Sequence, residues 1–91
     1  MNRQELSDAV RCANAEMHVV TIRDAGGNAL FWFECASREA AEFECGYFDA
    51  HGIEADSDSG PRRLVECRHD ERLRRRPEQA RARAHRLAAK G

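Results

Sequence analysis

Lysine is nearly absent from this 91-residue chain: fourteen of its fifteen basic residues are arginine, and Lys90 alone departs. With alanine abundant, this is the usage of a GC-rich gene, so arginine content by itself carries no functional argument. No apolar run approaches the ~18 residues that a membrane span needs, and the chain opens at Met1 on a polar segment. The expectation is a soluble, cytoplasmic protein with no membrane partner. Cys12, Cys35, Cys45 and Cys67 are too few and too evenly scattered for the disulfide framework of a secreted mini-protein, so reduced thiols are expected. Neither CxxC nor HExxH occurs. The carboxylates are dispersed, no Ser-His-Asp arrangement suggests itself, and Gly26-Gly27 reads as a turn rather than a phosphate loop. These absences predict a protein that is not an enzyme and takes no cofactor.

A chain this short folds as one domain with a small core and a thin stability margin. Its near-neutral total charge hides a division. Residues 1–60 hold four basic against twelve acidic residues, a net of −8, and residues 61–91 hold eleven against four, a net of +7. The organisation expected is a single α+β domain over 1–69 and an Arg-rich connector and helix over 70–91.

Asn2 followed by Glu5 reads as a helix start, and Leu6, Ala9, Val10, Ala13 and Met17 recur on one helical face, predicting a helix over 3–16. His18–Asp24 and Ala29–Cys35 are β-rich and flank a Gly-Gly hairpin signal. A two-residue loop pairs Ile22 with Phe31, Val20 with Phe33 and His18 with Cys35. That register puts Ile22, Phe31, Val20 and Phe33 inside, and Arg23, Thr21, Leu30 and Trp32 outside. Ser37 as N-cap and Gly52-Ile53 as a Schellman stop bound a helix over 38–51. Glu54–Gly60 reads as a polar turn, Arg63–His69 as a returning strand, and Pro77 opens a last helix with a thin stripe of Ala80, Ala84, Leu87 and Ala88. The fold class is thus αββαβα: a three-stranded sheet in order 2-1-3, the returning strand parallel to the second, packed on one helix, with a peripheral basic C-terminal helix.

Four sets of residues could carry function. Glu34, Glu39, Glu42, Asp49, Glu54, Asp56 and Asp58 form an acidic surface able to imitate phosphates against a basic groove. Arg23, Leu30 and Trp32 form an aromatic face that anchors a partner unless a helix covers it. Arg72, Arg74, Arg75, Arg76, Arg81, Arg83 and Arg86 could neutralise nucleic-acid phosphates, though without any sequence-reading motif. His18, Cys35, Cys67 and His69 meet at one sheet edge if the returning strand is placed as above, an alternative zinc site; the plainer reading leaves no metal and small core cysteines. Glu44, set between two apolar seams of the second helix, is the most oddly placed charge, with His51 two turns away as a conceivable acid–base partner.

In size and organisation, a compact hairpin–helix format with polarised charge, the chain resembles the small phage or mobile-element inhibitors of bacterial defence, such as anti-CRISPR proteins. That group shares no motif, so no residue is carried over. The resemblance implies stoichiometric occlusion of a nucleic-acid or effector site on a protein complex, a CRISPR effector among the partners, in the host cell cytoplasm. The alternatives are a nucleic-acid-binding accessory protein working through the arginines and a zinc-stabilised interaction module. A monomer or weak homodimer is expected.

Overall fold

The computed structural model describes residue 3 and residues 15–90. The elements are β1 (Glu16–Arg23), β2 (Ala29–Cys35), α1 (Arg38–Ala50), β3 (Ala55–Pro61), α2 (Arg62–Arg68), a 3-10 turn (Glu71–Leu73) and α3 (Pro77–Lys90). The helix expected over 3–16 otherwise lies outside the described residues. Its last residue, Glu16, begins β1, and Met17, expected on the helical face, is a buried strand residue. No helix among the described residues is long and apolar enough to cross a membrane.

The fold is α+β, with an antiparallel sheet in the order β2-β1-β3. The β1–β2 register is the expected one from His18↔Cys35 to Ile22↔Phe31. The turn differs. Asp24 N–H donates to Asn28 O at 3.0 Å, which leaves a three-residue loop in which Gly27 takes φ +83°, open to glycine at no steric cost. Arg23 then faces Ala29, and Leu30 becomes the extra residue of a bulge. α1 begins where Ser37 accepts from Ala40 N–H at 3.1 Å. It ends in the expected Schellman pattern, with Ile53 N–H to Phe48 O and Gly52 N–H to Asp49 O.

Two elements exchange places with the expectation. The polar turn is the third strand: Ala55–Pro61 pairs with β1 from Ile22↔Ala55 to Glu16↔Pro61. The expected strand Arg63–His69 is instead mostly helix, α2. Order and direction survive, since a strand antiparallel to β1 is parallel to β2. Strand propensity failed because β3 is held by partners rather than by its own apolar pattern: Asp56 meets Arg23, Asp58 meets Arg68 and His69, and Ser59 meets His18. α2 buries only Val65, a pattern too sparse to separate a period of two from one of 3.6.

The sheet is covered on both faces. On the inner face Val20, Ile22, Phe31 and Phe33 pack with Ala41 and Phe48 of α1 and with Ala80 and Ala84 of α3. The C-terminal helix is therefore a wall of the core rather than a peripheral tail, because its alanines let the backbone approach the phenylalanines closely. On the outer face Met17, Val19 and Trp32 pack with Val65, and Leu73 closes the edge. Arg75 N–H donates to Trp32 O at 3.0 Å, and Arg74 forms a parallel bridge with Trp32, so the segment 62–75 laps over the sheet and along the free side of β2.

Candidate binding surface

The covered outer face removes one expected site. Trp32 is 1% exposed, its Nε1 donates to Asp70 O at 2.7 Å, and the Arg74 guanidinium lies over the ring at 5.2 Å. Its neighbours in that set go elsewhere: Arg23 pairs with Asp56, and the bulge moves Leu30 into a hollow shared with Ile53 and Leu87. The aromatic face is an internal contact, covered by α2 and the 3-10 turn, not a docking platform.

The same face carries an arrangement that sequence reading missed. His69 Nε2 lies 3.0 Å from Asp58 Oδ2 and His69 Nδ1 lies 3.5 Å from Thr21 Oγ1. This is the connectivity of a carboxylate–imidazole–hydroxyl relay. Thr21 is 3% exposed, so no substrate reaches the hydroxyl, and the chain serves as a lock between β1, β3 and the end of α2. Arg68 adds two bonds to Asp58 at 3.0 Å. Those bonds, with help from His69 and against partial burial, hold the Asp58 carboxyl below the usual carboxylate range.

The zinc alternative does not assemble. His18 shares the inner side with Cys35 and hydrogen-bonds Ser59 at 2.8 Å, His69 packs against Trp32 on the outer side, and Cys67 is exposed on α2. Among the described residues, no three His, Cys, Asp or Glu are placed to hold a metal ion. The convergence required residues 63–69 to be a strand. The Cys35 thiol, half-buried, is pushed up to about 11 by desolvation first and by the nearby Glu44 carboxylate second.

The acidic set divides. Glu34 is clamped by Arg62 at 2.8 Å and Arg74 at 3.1 Å, and Asp56 and Asp58 are paired as above. Glu39, Glu42, Asp49 and Glu54 are exposed and form no ion pair among the described residues. The first three lie on α1, as does Phe43, which is 70% exposed; Glu39 is one turn before it and Glu42 next to it in sequence. The second apolar seam expected on this helix is therefore partly a surface.

The arginine set is largely occupied. Arg72 holds Asp70, Arg74 holds Glu34, Arg75 Nη1 donates to the carbonyls of Arg72 and Arg74, Arg81 holds Glu44, and Arg83 lies over Phe31 at 5.3 Å. Arg76 and Arg86 form no ion pair among the described residues.

Glu44 turns inward, 4% exposed, with Oε1 2.5 Å from Arg81 Nε. His85 Nε2 lies 3.5 Å from Oε2, and both atoms are buried without a hydrogen bond. The conceivable partner His51 is elsewhere: it lies tilted against the Tyr47 ring at 4.3 Å, while His85 stacks on the same ring at 4.4 Å. Both partners of Glu44 come from α3, some forty residues along the chain, and no local spacing announces them. Beside this cluster the packing of α1 against the start of α3 leaves an open cleft of about 340 Å³, with Phe33, Ala40, Phe43 and Pro77 as walls and Glu44, Glu78 and Arg81 among its charged groups. Compared with protein-family models, curated proteins and solved structures, the chain matches none.

Proposed function

We propose that this chain is a non-catalytic binding protein that engages a basic surface on a partner complex through the solvent face of α1. The observation that carries the reading is Phe43, a 70% exposed aromatic on the helix that also exposes Glu39, Glu42 and Asp49, none of them neutralised by an ion pair among the described residues. An exposed aromatic on a helix that also carries unpaired carboxylates is the make-up of an interface anchor with electrostatic guidance. Working in the cytoplasm, such a protein would occlude a nucleic-acid or effector site, the mode implied by its resemblance to small phage-type inhibitors of CRISPR effector complexes. Nucleic-acid contact through the arginines has less support, since five of the seven candidates are engaged within the fold. A zinc-stabilised module has no converging ligand set behind it among the described residues.

Binding to a purified CRISPR effector complex, with and without target nucleic acid, tests the reading. The triple change Glu39→Lys, Glu42→Lys, Asp49→Lys is expected to abolish binding and Arg76→Glu with Arg86→Glu to leave it intact. The reverse order, with affinity for free nucleic acid that falls steeply with salt, would replace this function by the nucleic-acid one.

A further inference from the structure

The cleft between α1 and the start of α3 holds one carboxylate, Glu78, without a cation among the described residues. Among the described residues Arg81 is the one guanidinium lining it, and it is committed to Glu44 Oε1. Glu78 forms no ion pair among the described residues, whereas Glu44 is held by Arg81 and lies 3.5 Å from His85. An anion entering here would meet the uncompensated Glu78 carboxylate, and a neutral aliphatic group would leave it as it is. The walls are apolar: Phe33 and Pro77 on one hand, the exposed ring of Phe43 on the other. Apolar walls with an unmet demand for positive charge suit a side chain that has a methylene stem and a cationic head. A planar guanidinium meets both demands at once, stacking on an aromatic face while pairing with a carboxylate, which a compact ammonium does less well.

We propose that this cleft receives an arginine side chain presented by the partner protein, its stem against Phe33 and Pro77 and its guanidinium between the Phe43 ring and the Glu78 carboxylate. Glu44, already held by Arg81, takes no part in the contact. The inference rests on the reading of a basic partner and names the residue that anchors it.

The test titrates the isotope-labelled protein with Nα-acetylarginine methylamide and follows backbone amide shifts. Saturable changes confined to residues 33–36, 40–44 and 77–81 are expected. The uncharged isostere Nα-acetylcitrulline methylamide, and the variants Phe43→Ser and Glu78→Gln with the intact protein's spectrum, should each bind about twofold to fivefold more weakly, the scale of one cation–π or exposed ion-pair contact. Equal affinity for the two probes, shifts centred on Glu39 and Glu42 that ignore Phe43→Ser, or no saturation at all would each overturn the proposal. Failure here is separable from failure of the function above. A cleft that refuses the arginine probe while the α1 charge reversal still abolishes partner binding removes the anchor alone. A cleft that takes the probe while charge reversal changes nothing leaves the anchor standing and removes the α1 reading.

Discussion

Replacing Ala84 by Asp separates a core helix from an appended tail. Ala84 is fully buried within the inner cluster that holds Phe31 and Phe48, whereas Ala82, two positions away on the same helix, is exposed. Both Ala82→Asp and Ala84→Asp lose helix propensity, about 0.6 kcal/mol each. Only the second buries a carboxylate without a ready partner, which adds about 3–5 kcal/mol. A domain of this length has roughly 5–13 kcal/mol in all, so the buried change consumes much of it. At about 4–8 °C per kcal/mol, Ala82→Asp should lower the melting temperature by only about 3–5 °C, and Ala84→Asp by about 15 °C or more, or abolish the cooperative transition. Thermal melts followed by far-ultraviolet circular dichroism decide the matter. If the two variants melt together, the helix is not docked, and a chain cut after Arg76 should fold as well as the intact one; the structure instead predicts that such a cut exposes Phe31, Phe33 and Phe48 and unfolds the body.

Thr21→Asp should be nearly as damaging as Ile22→Asp in the same melts, because α2 and the 3-10 turn bury the outer face and Asp58 would sit close to the new charge; a mild Thr21→Asp would show that face to be open. Alkylation with iodoacetamide at mildly alkaline pH, read by mass spectrometry, should label exposed Cys67 well before Cys35, whose thiol is held up near 11 and stays protonated. The Asp58 carboxyl is depressed in the fold, so it stabilises above its unfolded-state value and that contribution disappears as pH falls through the lower folded value. Asp58→Asn should therefore lower the melting temperature near neutrality and flatten its fall in acid; an unchanged acid slope would show that the Arg68 and His69 bonds carry no linkage.

The parts of the fold legible in the sequence are those decided within a few residues. The hairpin register from His18 to Ile22, the Ser37 cap and the Gly52-Ile53 stop all depend on neighbours, and all are present. The strand Ala55–Pro61 was not legible, because Asp and Ser enter a sheet only when Arg23, Arg68 and His18 arrive from elsewhere to meet them. Nor was the role of α3: an alanine stripe looks too thin to matter until large aromatic partners lie opposite. Glu44 could be singled out as misplaced, but Arg81 and His85 could not be named as its partners, since nothing local brings them together. The exposed carboxylates of α1 were visible as acidic residues, while their distinction from Glu34, Asp56 and Asp58 required knowing which arginines return to which strand.

The two margins of the sheet also bear on how the protein behaves when crowded with copies of itself. Along β2 the backbone of Arg74 and Arg75 already occupies part of the rim, so a second molecule finds little free backbone there. β3 pairs on one side only among the described residues, but its row of Asp56 and Asp58 and its terminal Pro61 make it a poor template for another strand. The guard is partly charge and partly the missing backbone donor of Pro61. Protonating Asp58 in acid would loosen the lock behind the strand and leave Arg68 without its counter-charge, so the rim would turn cationic rather than neutral and two copies would still repel each other there.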